Sequence, residues 1–546
     1  MVAKNLQRNQ TADRRLKLHP GMKFASPIPI LPRLALGLLL AGFLHISHAG
    51  ITLITHGLNS SVDGWVTGMA SRIPQYPGFF GTNYSIYQMG FSNFAGNYYL
   101  TASRTAGSPA TNPESGEIII KLDWRDLDDG NSYDTFQVAS AVTPALLSTN
   151  FIPELGGRAI AAFPLHLIGH SRGGSMVCEL SRQLGTNGVW VDHVTTLDPH
   201  PLNDSAFPFD WILYRANDAP ANTYVNVLFA DNYWQSVDSP INGKSVAGAF
   251  VRKLTTLGGG YSSAHSDVHL WYHGTLDWRI PASDTETNLT SAERATWWLG
   301  PETAGTNAGF RYSLIGRGDR TSSAQPAGLG MIRDGFNQNW DLGAGTSANR
   351  TALPTNNGAW PNLLRLNRTT TNQVAVGESL PVKFYYQWAK ASSNLATIRL
   401  YLDDDFNPLN TNQTLLSEIA VPGNGAGFVS VAITNLLLSA ASATPGAHTI
   451  LGTITGGGNT RYLYAPETVT VVASRQPPAL EIARLNATQF RIGVLGLTGQ
   501  TIVLENSADL LAWTALATNT LATGRWDYTN TPAPGLAANF YRAVLP

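Results

Sequence analysis

The chain of 546 residues is expected to hold an α/β domain, with a mostly parallel sheet and helices on both faces, followed by two all-β modules. Three observations predict this. Apolar runs alternate with helical stretches through residues 50–300, which is the pattern of βαβ units. One of these runs ends in Gly-x-Ser-x-Gly and passes straight into a helix. From about residue 362 the pattern becomes short alternating strands separated by turn residues.

The strand-to-helix passage is Leu167-Ile168-Gly169-His170-Ser171-Arg172-Gly173-Gly174. Before it, Pro164 to Ile168 is a short, mainly apolar run suited to a buried parallel strand. After it, Met176, Leu180 and Leu184 recur four apart and mark one face of a helix. A serine in this context sits on a strained turn with its hydroxyl exposed, and the flanking glycines let the turn close. Further strands are expected at Gly50–Gly57, Glu117–Trp124, His193–Pro199 and Val225–Ala230, with a helix over Tyr133–Leu147. Their carboxyl ends are where a parallel sheet places its chemistry.

A hydrolytic serine needs a base to take its proton and an acid to orient that base, in the chain order serine, acid, histidine for such a fold. Asp198 ends a strand that Pro199 stops, and Asp231 follows the next strand just as directly, so both are candidate acids. The base comes later, from Tyr261 to His273, where His265, His269 and His273 are found. His265 lies on the loop side of the helix expected there and is favoured, with His269 as the alternate. His269 and His273 share a helix face and could also form a metal pair or a surface patch, but no cysteine or carboxylate at ligand spacing accompanies them, so no metal and no cofactor are expected. An oxyanion hole needs two backbone amides. That of Arg172 follows the nucleophile, and a second, at Leu58, follows His56-Gly57. The Arg172 side chain is expected in a salt bridge to a neighbouring loop rather than on a substrate anion.

Gly169-His170-Ser171-Arg172-Gly173 resembles the lipase elbow, and Thr196-Leu197-Asp198-Pro199 is similar to the acid-bearing strand end of the pancreatic-lipase group of α/β-hydrolases. In that group the catalytic histidine precedes an aromatic pair by six and seven residues, as His265 precedes Trp271 and Tyr272. The resemblance covers roughly residues 50–300 and implies an α/β hydrolase domain with the triad Ser171, Asp198 and His265. Arg172 and Gly174 stand where leucine and alanine are usual in those lipases, and their disulfides are absent, so triglyceride specificity is not implied.

Composition bounds the rest. A formal charge of −1 with 13% charged residues lacks the basic stripes of nucleic-acid or anionic-membrane binders. The single cysteine, Cys178, cannot form an intrachain disulfide and reads as a small buried hydrophobe. Residues 1–49 read as a signal peptide: Arg33 precedes the apolar run Leu34–Leu44, and Ser47-His48-Ala49 supplies a cleavage site. Met22 is an alternative start to Met1. No run reaches the length of about 20 residues that spans a bilayer. The expected organisation is 50–350 as the catalytic domain, 362–474 as a β-sandwich of immunoglobulin or fibronectin type, and 479–546 as a small β-module. Residues 301–360 read as closing loops and a linker. Asp403-Asp404-Asp405-Phe406-Asn407 reads as a solvated acidic turn rather than a calcium loop. The aromatics Phe207, Phe209, Trp211, Tyr214, Tyr224, Tyr233 and Trp234 read as core packing, with part of the segment expected as a lid.

These readings converge on a secreted or periplasmic serine esterase or lipase acting on an ester or lipid substrate. Other acyl chemistries fit the same elbow: phospholipase, polyester depolymerase or peptidase. A different class, a non-catalytic surface or polymer-binding protein, remains open, with the C-terminal β-modules as the contact to a cell surface or polymer.

Overall fold

In the computed structural model, residues 50–545 are described except 76–83, 111–116, 204–213, 225, 239–240, 247–248, 277–288, 300–308, 313–357 and short stretches at 370–372, 406, 426–429, 440–441, 474–476, 498–499 and 536–537. The signal-peptide reading, Phe207, Phe209, Trp211 and most of the expected linker lie outside them.

The first half is one eight-stranded sheet with helices between its strands. In chain order it comprises β1 (Ile51–Thr55), α1 (Trp65–Arg72), β2 (Tyr84–Phe94), β3 (Asn97–Gly107), β4 (Glu117–Asp123), α2 (Thr135–Leu147), β5 (Leu165–His170), α3 (Arg172–Thr186), β6 (Val191–Leu197), β7 (Val227–Gln235), β8 (Phe250–Leu254), α4 (Ala264–Leu276) and α5 (Ser291–Leu299). The strand order is β3-β2-β4-β1-β5-β6-β7-β8, and every neighbouring pair is parallel except the hairpin β2/β3. The four strands β1, β4, β5 and β6 are buried along their whole length, because both faces of the sheet are covered. One core lies against α2 and α3, with Val138, Val142, Met176 and Leu180; the other lies against α1 and α4, with Trp65, Met69, Val268 and Trp271. The five strands expected here are all present. The hairpin β2/β3 and the edge strand β8 are additional.

Fourteen strands follow, β9 (Asn362–Arg368), β10 (Gln373–Ala375), β11 (Ser379–Gln387), β12 (Leu395–Asp403), β13 (Thr414–Pro422), β14 (Ser430–Leu437), β15 (Gly446–Gly456), β16 (Asn459–Val472), β17 (Ala479–Arg484), β18 (Phe490–Leu495), β19 (Thr501–Ser507), β20 (Thr514–Thr520), β21 (Arg525–Asn530) and β22 (Phe540–Val544). The sheets β10-β16-β15-β12-β13 and β14-β11-β9 enclose a core of Val382, Phe384, Ile398, Leu400 and Ile454. Two three-stranded sheets at the carboxyl end share a much smaller one, of Ile492, Val494, Ile502, Leu504 and Leu521. Among the described residues no helix is long and apolar enough to cross a membrane.

The acidic run after β12 is not a solvated turn: Asp403 and Asp405 are buried. Asp405 accepts from the side chains of Asn410 and Asn412, so its carboxylate holds the loop together from inside.

The strands at 362–472 are not a freely tethered appendage either. Trp360, Leu364 and Tyr385 belong to the same buried cluster as Trp190 and Phe163 of the α/β part. Phe163 stacks on Tyr462 at 5.4 Å, and Trp190 Nε1 donates to Gln387 Oε1 at 3.0 Å. At the centre, Arg461 is fully buried. Its Nη2 donates to Asp192 Oδ2 at 3.1 Å and its Nη1 to the Ala161 carbonyl at 2.6 Å. All these contacts lie at the amino ends of β5 and β6. Removing one partner of a buried ion pair leaves an uncompensated charge, at a cost of about 3–5 kcal/mol. We therefore expect Arg461→Ala to lower the thermal midpoint of the α/β part itself, and calorimetry to show that part and the 362–472 sheets unfolding in one transition.

Candidate active site

Ser171 joins β5 to α3 with φ 56 and ψ −126, a conformation that L-residues avoid and that persists only where the surroundings impose it. Two backbone bonds impose it here. The Ser171 N–H donates to the Leu197 carbonyl at 2.9 Å, and the His200 N–H donates to the Ser171 carbonyl at 3.1 Å. The turn therefore hangs on the end of the neighbouring strand β6. The glycines follow from the same crowding: a Cβ on Gly169 would strike the Gly173 carbonyl, and one on Gly173 would strike the carbonyl of His56. Ser171 itself is 9% exposed.

The same strand end delivers Asp198, at φ 43. Among the described residues five that are not glycine have positive φ, and three of these, Asn59, Ser171 and Asp198, are at this end of the sheet. Asp198 is fully buried. Its Oδ1 accepts from the Gln235 backbone N–H at 2.9 Å and its Oδ2 from Gln235 Nε2 at 3.0 Å. Oδ2 also stands 2.6 Å from His265 Nδ1. A carboxylate so held by donors is a fixed acceptor, and the bond sets the imidazole with Nδ1 protonated and Nε2 outward.

His265 is the second residue of α4, with its side chain 12% exposed. Asp238, on the loop after β7, caps that helix start, accepting from the Ala264 N–H and from Ser263 Oγ. His170, the residue before Ser171, donates from Nε2 to the His265 carbonyl at 2.8 Å, and the two rings lie 4.6 Å apart. Burial holds His170 well below the usual imidazole range, so it acts as a neutral donor.

The alternates are placed elsewhere. His269, one turn on, is buried with its ring stacked on Trp65 at 4.4 Å, and burial holds it well below the usual imidazole range. It is no surface patch, and neither is the buried His273. Asp231 does not meet His265. Its Oδ1 accepts from His193 Nε2 at 2.8 Å and from Thr195 Oγ1 at 2.5 Å, and its Oδ2 from the Tyr233 hydroxyl at 3.0 Å, so it organises a buried polar cluster beneath the sheet. No group of residues suited to a metal occurs among the described residues.

Across the turn, His56-Gly57 ends β1. A Cβ on Gly57 would come 2.7 Å from Ser171 Cβ and 3.1 Å from its Oγ, so only glycine lets the two chains approach this closely. The next amide is that of Leu58. The Trp124 N–H points at His56 Nε2 at 3.2 Å, which leaves Nδ1 to donate to the Gly57 carbonyl at 2.9 Å. In a trans peptide the C=O and N–H point opposite ways, so the Leu58 N–H is turned away from the His56 ring. Asp128 fixes the loop from behind by accepting from the Ser60 N–H at 2.8 Å; burial pushes its carboxyl up to about 6.

The Arg172 amide is the first in α3, one of the four that a helix leaves without an internal partner. Its side chain is fully buried and makes the expected salt bridge: Nε and Nη2 each lie 2.8 Å from the Asp218 carboxylate. Asp218 also accepts from the Thr135 and Leu202 N–H groups. The pair thus ties the starts of α2 and α3 to the loop beyond Asp198. Of the aromatic segment, Tyr224 and Tyr233 are core residues. Cys178 is buried, which raises its thiol to about 12.

The sequence did not single out His170, Gln235, Asp238 or Asp128. The histidine stands inside the elbow motif and was readable there; the other three act across loops distant in the chain.

No family model matches the chain. No curated protein matches it either. Among solved structures, a superoxide reductase from Ignicoccus hospitalis is 12% identical, over 20% of this chain and 82% of its own, with a TM-score of 0.14. The red sea bream transglutaminase is 11% identical, over 34% of this chain and 27% of its own, also at a TM-score of 0.14. Neither bears on the α/β part or on the site.

The Arg172–Asp218 pair gives a test of its structural weight. We expect Arg172→Met to cost about 3–5 kcal/mol, since it strands a buried carboxylate, and the double change Arg172→Met with Asp218→Leu to recover part of it. Urea unfolding midpoints measure both.

Proposed function

We propose that the chain is a serine hydrolase of the α/β-hydrolase class that cleaves carboxylic esters, with Ser171 as nucleophile, His265 as base and Asp198 as the acid that orients it. The observation that carries this reading is the 2.6 Å contact of His265 Nδ1 with the buried Asp198 carboxylate, one strand away from a serine held in the strained strand-to-helix turn. In this reading residues 50–350 form the catalytic domain, 362–474 and 479–546 are its β-modules, and the protein is exported.

Ser171 Oγ bonds to the ester carbonyl carbon while its proton passes to His265 Nε2. Asp198 holds the imidazole in the required tautomer and stabilises its charged form. The tetrahedral oxyanion is met by the amides of Leu58 and Arg172. The first is aimed by the His56 bond to the Gly57 carbonyl, and the second belongs to the amino end of α3, whose dipole favours negative charge. Collapse expels the alcohol, which takes the proton from His265. Water then attacks the acyl-enzyme by the same route in reverse.

Hydrolysis of a p-nitrophenyl ester series tests the reading. Ser171→Ala is expected to lose about a thousandfold or more in kcat, and equal rates from the two proteins would remove Ser171 from the mechanism. Gly57→Ala, which pushes a methyl group against Ser171, is expected to cost about 100-fold in kcat with a smaller change in KM, as for loss of an oxyanion donor. Asp198→Asn leaves space and packing nearly unchanged but favours the wrong tautomer. It should lower kcat by up to about 10,000-fold at neutral pH.

A further inference from the structure

Away from this site, Glu117 is a buried acid for which the described residues provide no cation. Glu117, the first residue of β4, is 2% exposed. Its Oε1 accepts from Thr52 Oγ1 at 3.1 Å, and its Oε2 accepts from the backbone nitrogen of Gly50 at 3.3 Å. Burial pushes the carboxyl up to about 8, against partial relief from those two donors. Tyr84 stands opposite it in the β2–β4 register, and among the described residues no lysine, arginine or histidine pairs with it. An acid so placed either stays protonated or draws a positive charge to it.

The atom closest to supplying that charge is the Gly50 nitrogen, and its position in the chain is telling. Gly50 directly follows Ser47-His48-Ala49, where small residues stand at the two positions that a signal peptidase reads. Gly50 is also pinned independently of anything before it: its carbonyl accepts from the Ile118 N–H at 3.0 Å, and the next N–H, of Ile51, donates to the Pro164 carbonyl at 2.9 Å. Loss of the preceding residues would leave the nitrogen where it is.

We propose that the Ala49–Gly50 peptide bond is hydrolysed on maturation, and that Glu117 is the receptor for the ammonium group so created. Water adds across the amide, leaving a carboxylate on Ala49 and an α-ammonium on Gly50. That ammonium closes a buried ion pair with Glu117 at the start of the central strand β1. The inference rests on the export signal and is independent of the triad.

Maturation then changes how Glu117 contributes to stability. While Gly50 is an amide, the folded-state carboxyl lies above its ordinary value of 4.5. Its contribution is full at acid pH and is lost as pH rises through about 8. Once the ammonium is present, the ionised carboxylate is favoured, and its contribution persists at neutral pH.

The test begins with the full chain exported from a bacterial host and weighed intact; the expected mass begins at Gly50. Acylation of the α-amine at pH 7 is expected to run roughly tenfold or more slower in the native protein than after unfolding. Glu117→Gln should lower the thermal midpoint of the exported protein at pH 7. It should not do so in a variant with one alanine inserted between Ala49 and Gly50, which moves the ammonium one residue out. A different amino terminus, a freely acylated native α-amine, or the same Glu117→Gln shift in both backgrounds would overturn the proposal. If Glu117→Gln does not fold, the acylation rate of the unaltered protein decides alone. Ester hydrolysis measured on the same samples keeps failure of the triad reading separate from failure of this one.

Discussion

The arrangement depends on two backbone hydrogen bonds where β5 and β6 end. Through the Ser171 N–H to Leu197 and the His200 N–H to Ser171, the strained serine and the strained Asp198 are parts of one turn assembly. Parallel register sets which residues meet there, since His170 pairs with Leu197. A slip of one position would turn every side chain of a strand to the other face. Both faces of the sheet are packed, and a slip would part His166 from Thr195 and both Thr195 and His193 from Asp231, so these buried side chains enforce the geometry at the strand ends.

Around this assembly the polar groups are paired from behind. Gln235 fills both oxygens of Asp198, Asp238 fixes the start of α4, and His170 grips the His265 backbone. Each of these acts on orientation and none contributes a leaving or attacking atom. The charged pair Arg172–Asp218 has the same character at larger scale, joining three segment ends from a fully buried position. The burial that makes such pairs costly to form also makes them rigid once formed.

Much of this was legible in the chain because fully buried parallel strands leave uninterrupted apolar runs: Ile118-Ile119-Ile120 and Leu165 to Ile168 could be little else. Ser171, Asp198 and His265 were legible as candidates: motif and chain order left Asp231 and His269 beside them, and the resemblance pointed to the set that the 2.6 Å contact of His265 with Asp198 joins. What escaped has a common cause. The hairpin β2/β3 is mixed in polarity, with β3 largely exposed, and the edge strand β8 alternates partly buried with exposed residues, so neither carries the signature of its buried neighbours. Gln235 and Asp238 find their partners across loops, and Asp403 and Asp405 look like surface residues until the Tyr464 hydroxyl reaches the first and Asn410 and Asn412 close over the second. The docking of the 362–472 sheets turns on Trp190, Asn362, Gln387 and Arg461, residues whose meeting no local pattern records.

The place of β1 in the sheet order has a bearing on how the molecule comes together. It is the first strand among the described residues, yet it lies between β4 and β5, both much later in the chain, and the β6 end that holds the elbow is later again. Contacts so distant in sequence carry a large loop-closure cost and slow folding. The emerging chain therefore holds an exposed apolar strand until most of the sheet exists. Such a molecule has reason to depend on chaperoning while it is being made, and little reason to fold early.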